Sequence, residues 1–199
     1  MVPEDGSKRS FLNVGGNHKQ MPIPPCYDGW RHDLLDIDPG CKPDVLCDAR
    51  DICKLKPRQY DSIYCSHNLE HFFAHDLPLV LSGFRIVLKK DGFAYIRVPD
   101  LGALMKRVVA EELDLDDILY DSSAGSIRVR DVIYGLGSEI ERSGTDFFAH
   151  KTGFTVRSLQ KVLFAARFDN VYIQVGDLEI VAVAFMQSPQ EWQLRMLGL

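Results

Sequence analysis

The alternation of apolar and polar positions divides the chain into short strand-like runs and three amphipathic helical stretches. Residues 10–14 (Ser10-Phe11-Leu12-Asn13-Val14) predict a strand that stops at Gly15-Gly16. A second strand is predicted over 33–37, ended by the strong turn signal Asp38-Pro39-Gly40. A brief third covers 44–47, and a fourth, alternating and β-branched at its centre, covers 60–65. Leu77, Leu81, Phe84 and Leu88 are spaced for one buried face of a helix over 77–88. Lys89-Lys90-Asp91-Gly92 suits the end of that helix, with cations in the last turn and a glycine beyond. A fifth strand follows over 93–98, closed by Pro99-Asp100, where Asp100 is best read as the cap of a second helix over 101–113. A third helix is predicted over 155–167, with Thr155 as its cap. Strands over 171–175 and 179–185 finish the pattern, joined by a Gly176-Asp177 turn that permits an antiparallel hairpin.

Two stretches depart from this alternation. Pro22, Pro24 and Pro25, followed by Gly29, exclude a regular helix between the first two strands, so that crossover is mostly loop with at most one helical turn. Residues 114–152 are rich in Asp, Ser and Gly, with a short helix near 129–136, and read as an insertion or lid. The whole predicts a single α/β domain over 1–199 built on a mostly parallel, Rossmann-like sheet with an antiparallel last strand.

Composition changes this picture little. Of 199 residues, 46% are hydrophobic and 26% charged, which suits a soluble domain with a substantial core. A formal charge of −5 gives no electrostatic case for a nucleic-acid or membrane-surface partner. No apolar run approaches a membrane span, residues 1–10 hold no apolar signal core, and the five cysteines form no CxxC pair. Cytoplasmic residence with reduced thiols is the expectation.

Candidate chemistry gathers at the predicted carboxyl ends of the strands, where open α/β sheets bind ligands. Gly15-Gly16 would let backbone approach a ligand, and Asp36 could accept hydrogen bonds from ribose hydroxyls. Six motifs in order then resemble the class I S-adenosylmethionine-dependent methyltransferases, most of all their small bacterial stand-alone domains. They are Leu12-Asn13-Val14-Gly15-Gly16, Leu35-Asp36-Ile37, Cys47-Asp48-Ala49-Arg50, and the run from Tyr60 through Ser66-His67-Asn68-Leu69-Glu70-His71. Phe84 through Gly92 with Val98-Pro99-Asp100, and His150 through Thr155, complete the set.

The resemblance implies S-adenosylmethionine as cofactor. Gly15 and Gly16, with Asn13 at the strand end, would line its methionine part, Asn17 would join the cofactor site, and Asp36 would hold the ribose. Asp48 and the Ala49 backbone would meet adenine, and Ser66 and His67 would face the sulfonium. His67 or His71 could serve as general base, since imidazole titrates near neutral pH. Two departures stand out: Asn17 occupies a usual glycine position, and the Pro-rich crossover removes the helix whose positive end would meet the cofactor carboxylate. His18 or Lys19 could supply that charge.

His67, His71 and His75 would share a face if one helix carried them, and with Glu70 and Cys65 nearby they invite a zinc reading. Phe72, Phe73 and Pro78 argue for a broken helix, and HExxH is absent, so no metal is expected. The acceptor is expected to be a small molecule or glycan methylated on oxygen or nitrogen. A catalytically degenerate binding protein of the same fold is the alternative. A nicotinamide oxidoreductase fits less well, because the full G-x-G-x-x-G is missing.

Overall fold

A computed structural model describes residues 8–122 and 125–199. In chain order its strands are β1 (Ser10–Val14), β2 (Arg31–Asp36), β3 (Val45–Leu46), β4 (Tyr60–Ser66), β5 (Leu88–Pro99), β6 (Ile118–Ser122), β7 (Gly125–Arg128), β8 (Asn170–Val175) and β9 (Glu179–Phe185). Seven of them form one sheet in the order β3-β2-β1-β4-β5-β9-β8. The first five pair in parallel, and β9 enters antiparallel between β5 and β8. Strand order reverses at β1, whose neighbours are β2 and β4. A ligand crevice opens at such a switch point, outside the strand carboxyl ends.

The two faces of the sheet are covered by different means. On one, α1 (Leu77–Val87), the 3-10 segment Ala49–Lys54 and α5 (Val156–Ala165) bury Leu81, Phe84, Ile52 and Leu159 against Leu12, Ile63 and Ile96. The apolar spacing along both helices explains why they dock there. On the other, the Pro-rich crossover supplies the cover with only a 3-10 turn, Pro25–Tyr27, as the prolines require. Tyr27 stacks on Phe11 at 4.3 Å between ring centres, and its hydroxyl lies 2.8 Å from that of Ser62. The C-terminal helix Glu191–Leu197, which the sequence pattern did not predict, adds Met196 and Leu197 to the same cluster.

The other α-helices among the described residues are α2 (Leu101–Glu111), α3 (Val129–Tyr134) and α4 (Gly137–Ser143). Within 114–152, β6 and β7 form a hairpin, and α3 packs Val129 and Val132 against Leu104 of α2 in a small core of their own. Asp100 caps α2 as expected, its Oδ1 accepting from the amides of Gly102 and Ala103. Thr155 caps α5. One boundary differs: Lys89-Lys90-Asp91-Gly92 does not end a helix but begins β5. Leu88 is already extended and pairs with Tyr60, and the register shifts in a bulge before Ser62 meets Phe93. Lys89 there pairs with Asp61 at 2.9 Å, so its charge serves a strand contact and not a helix end.

Candidate active site

β1 ends in a tight turn that two asparagines enforce. Gly15 has φ +69°, and a Cβ added there would stand 2.0 Å from Asn68 Nδ2. A Cβ on Gly16 would stand 2.2 Å from Nδ2 of buried Asn13. Any larger residue would displace an asparagine. Asn17 adopts φ +61°, the left-handed backbone that asparagine tolerates best after glycine. Its amide donates to Asp36 Oδ2 at 3.1 Å, while Asp38 N donates to Oδ1 at 3.0 Å. The Asp36 carboxylate is thereby oriented by loop amides, with one lone pair left on each oxygen.

Beside this turn lies a cavity of about 260 Å³, close to the lower end of small-molecule sites. Gly15, Asp36, Asp48, Ala49 and His71, all singled out from sequence, line it. Asn68, Arg50, Asp76 and Lys151 line it too, and sequence reasoning did not assign them to the site. Asn68 lies directly after the Ser66-His67 pair, so its place in that motif was the available signal. Its Oδ1 is buried and has no hydrogen-bond partner among the described residues. Such an atom is expensive to leave unmatched in a folded interior, which marks the place where a ligand donor fits. Four aspartates (Asp36, Asp48, Asp76, Asp146) face the cavity against the cations Arg50 and Lys151, an acidic balance suited to a cationic ligand.

Asp48 is already engaged. Its Oδ1 accepts from the Arg50 amide at 2.9 Å and from Nε at 3.1 Å, and Oδ2 accepts from Nη2 at 2.7 Å. The Arg50 guanidinium holds this carboxyl below its ordinary range. A purine amine reaches Asp48 only if Arg50 swings away. Lys19, a candidate for the cofactor carboxylate, is instead paired with Asp44 at 2.6 Å.

Asn13, Gly16, Asn17, Ser66 and His67 do not line the cavity. Asn13 lies behind the turn, within 3.3 Å of His32 Nε2. Ser66 ends β4 opposite Arg97. His67, with φ +48°, carries its ring to Glu179 of β9, with Nε2 2.8 Å from Oε1. Desolvation opposes the imidazolium, but the hydrogen bond to Glu179 and the Glu70 carboxylate 3.5 Å away outweigh it and raise its pKa to about 9. At neutral pH His67 is therefore a held cation, and a base only at higher pH. Arg97 grips the other oxygen of Glu179 at 2.9 Å and reaches Tyr64.

The histidines at 67, 71 and 75 do scatter. Leu69–His71 is a 3-10 turn, and His75 stacks flat on Phe73 away from the others. His71 meets His150 instead, at 5.0 Å between ring centres. Of the aromatic residues in 114–152, the segment read from sequence as a lid, Phe147 borders the cavity and Tyr134 is 61% exposed.

No protein-family model matches the sequence, and no curated protein matches it. Solved structures do. A SAM-dependent methyltransferase from Archaeoglobus fulgidus superposes with TM-score 0.56 at 16% identity, over 89% of this chain and 86% of that one. A Methanosarcina mazei SAM-dependent methyltransferase gives 0.55 at 14%, over 89% and 92%. The Burkholderia thailandensis 1,6-didemethyltoxoflavin-N1-methyltransferase, solved with bound 1,6-didemethyltoxoflavin and S-adenosylhomocysteine, gives 0.53 at 16%, over 90% and 72%. At these identities the likeness is one of fold. The chain has a class I methyltransferase-like fold, with the sheet order and antiparallel strand described above.

Proposed function

We propose that the chain is an S-adenosylmethionine-dependent methyltransferase whose cofactor lies across the carboxyl ends of β1, β2 and β4. The observation that carries this reading is the buried, partnerless Asn68 Oδ1 set against the Gly15 turn in an acidic cavity. It is an acceptor awaiting a donor, and the cofactor's methionine ammonium is one. Asp36 would hold the ribose through its remaining lone pairs, and Ala49 would flank the adenine. When bound, the cofactor supplies an electrophilic methyl on a sulfonium. The chain's own part is to align that methyl with the acceptor and to exclude water.

The acceptor, a small molecule or glycan methylated on oxygen or nitrogen, would enter beside Phe147 and His71. Of the two candidate histidines, His71 is the one that borders the cavity. Its Nδ1 lies 3.1 Å from the Ala149 carbonyl, which can only accept, so Nδ1 carries the hydrogen and Nε2 the free lone pair. Incubation with methyl-labelled cofactor and acceptor panels tests the reading. Label transferred to an acceptor, and lost in Asp36→Ala, is the expected result; binding of cofactor with no transfer to any acceptor would favour the degenerate alternative.

A further inference from the structure

At the cavity border His71 belongs to a second group of polar side chains, whose other members the methyl-transfer reading does not use. Glu70 is 1% exposed, and neither of its carboxylate oxygens has a hydrogen-bond partner among the described residues. His67 Nδ1 stands 3.5 Å from Oε1, but that ring is committed to Glu179 at 2.8 Å. A carboxylate buried so completely is costly unless a cation meets it. One ligating atom each of Glu70, His71 and His150 lies within 4.8 Å of the others.

Both histidines are arranged as ligands are. His71 Nδ1 donates to the Ala149 carbonyl at 3.1 Å, and His150 Nδ1 donates to the Val132 carbonyl at 3.0 Å. Each bond fixes the ring and leaves Nε2 with its lone pair, the outer-shell arrangement that metal-binding histidines show. The two segments are also clamped to each other. The amides of Lys151 and Thr152 donate to the Glu70 carbonyl at 2.8 and 3.1 Å. The three residues are thus held in register by backbone bonds that involve none of the ligating atoms.

We propose that Glu70, His71 and His150 form a binding site for a divalent transition-metal ion, zinc foremost. Two imidazoles and one carboxylate suit zinc, with ligands at about 2.0–2.1 Å. Such ligands stand roughly 3.3 Å apart around a tetrahedral ion, so side-chain rotation closes the present separations. A three-residue set leaves a fourth position open, and His71 places it at the cavity border. The set differs from the His67, His71 and His75 trio that the sequence suggested, because the chain turns left-handed at His67 and breaks after His71. His150 comes from the far end of the 114–152 segment, so the ion would also tie that segment to the sheet. The site does not rest on the methyl-transfer reading, although an ion on His71 Nε2 would take the lone pair that reading leaves free for the acceptor.

The full chain, stripped with a chelator and dialysed, is titrated with Co2+ and with Zn2+. One ion per chain is expected, with the visible d–d absorption of four-coordinate cobalt and no thiolate charge-transfer band. His150→Ala and His71→Ala should each weaken binding by at least about tenfold while far-UV circular dichroism is kept. Glu70→Gln removes the charge but keeps the shape. It should raise the thermal midpoint of the metal-free chain and abolish the further rise that Zn2+ gives the wild type. No stoichiometric binding would overturn the proposal. So would a thiolate band, which would assign the ion to the exposed or half-exposed cysteines, or binding unchanged in His150→Ala and Glu70→Gln.

Discussion

Asp48 and Glu70 are both carboxylates, each within a few residues of a neighbouring strand end in the same sheet, yet they are in opposite states. Asp48 is met on both oxygens by one arginine two positions along the chain. The Glu70 carboxylate is buried with no hydrogen-bond partner among the described residues. The difference is one of partner chemistry. Asp48 has a dedicated arginine two positions along the chain. Glu70 has only histidines, His67 and His71 beside it in sequence and His150 brought near by the fold, and these offer it lone pairs and a cation already shared with Glu179. Asn68 Oδ1 belongs with Glu70, as a buried acceptor left open. Groups already matched by their own chain shape a site, and groups left open are where a ligand contributes most.

That contrast can be broken at several points. The largest effect is expected from Gly15→Ala, which forces a left-handed alanine and drives its Cβ into Asn68. Strain alone costs about 1–2 kcal/mol, and displacement of Asn68 should weaken S-adenosylhomocysteine binding at least tenfold. Calorimetry and thermal denaturation read the two separately. Next, Asn68→Ala deletes the open acceptor. Cofactor affinity should fall roughly tenfold, worth about 1.4 kcal/mol, while stability holds or rises because Oδ1 loses no bond. A stability loss without an affinity loss would make Asn68 a purely structural residue.

The third test concerns how far His67 compensates Glu70. Its pKa is raised to about 9, so its contribution to stability is complete below the ordinary histidine value near 6.5 and fades as pH rises through 9. Metal-free wild type should therefore lose thermal stability between those limits, and His67→Gln should not. The ring is 49% exposed, so solvent screening keeps this effect modest. The smallest effect is expected from Arg50→Ala. Asp48 is held low by Arg50, so the pair stabilises the fold above the unfolded carboxyl pKa and loses that as pH falls through the folded value. The variant should flatten the acid limb of the stability profile and tighten cofactor binding about threefold by freeing Asp48.

Much of the fold was legible because it rests on local pattern. Five parallel strands, three helices and the final hairpin follow from alternation, helical spacing and turn residues, and the prolines at 22, 24 and 25 do exclude the first crossover helix. What was missed depends on distant contacts or on sparse pattern. Lys89-Lys90-Asp91-Gly92 looks like a helix end, but Leu88 is drawn into β5 by Tyr60 on β4. The β6–β7 hairpin is short and mostly polar, with little hydrophobic signal.

The site divides the same way. Gly15, Asp36, Asp48 and Ala49 border the cavity because strand ends and turns place them. His67 leaves it because Glu179, 112 residues further on, holds its ring. That Asp48 is saturated and Asn68 open could not be read from residue types, since hydrogen-bond partnership belongs to the folded arrangement. The same holds for the meeting of Glu70 and His71 with His150.

The central claim, that the Gly15–Asp36–Asn68 crevice takes S-adenosylmethionine, is tested most directly by isothermal titration of the full chain with S-adenosylmethionine and S-adenosylhomocysteine. Saturable heat with one ligand per chain, weakened roughly tenfold in Asn68→Ala, is the predicted result. The absence of binding heat for both ligands at high protein concentration would contradict it.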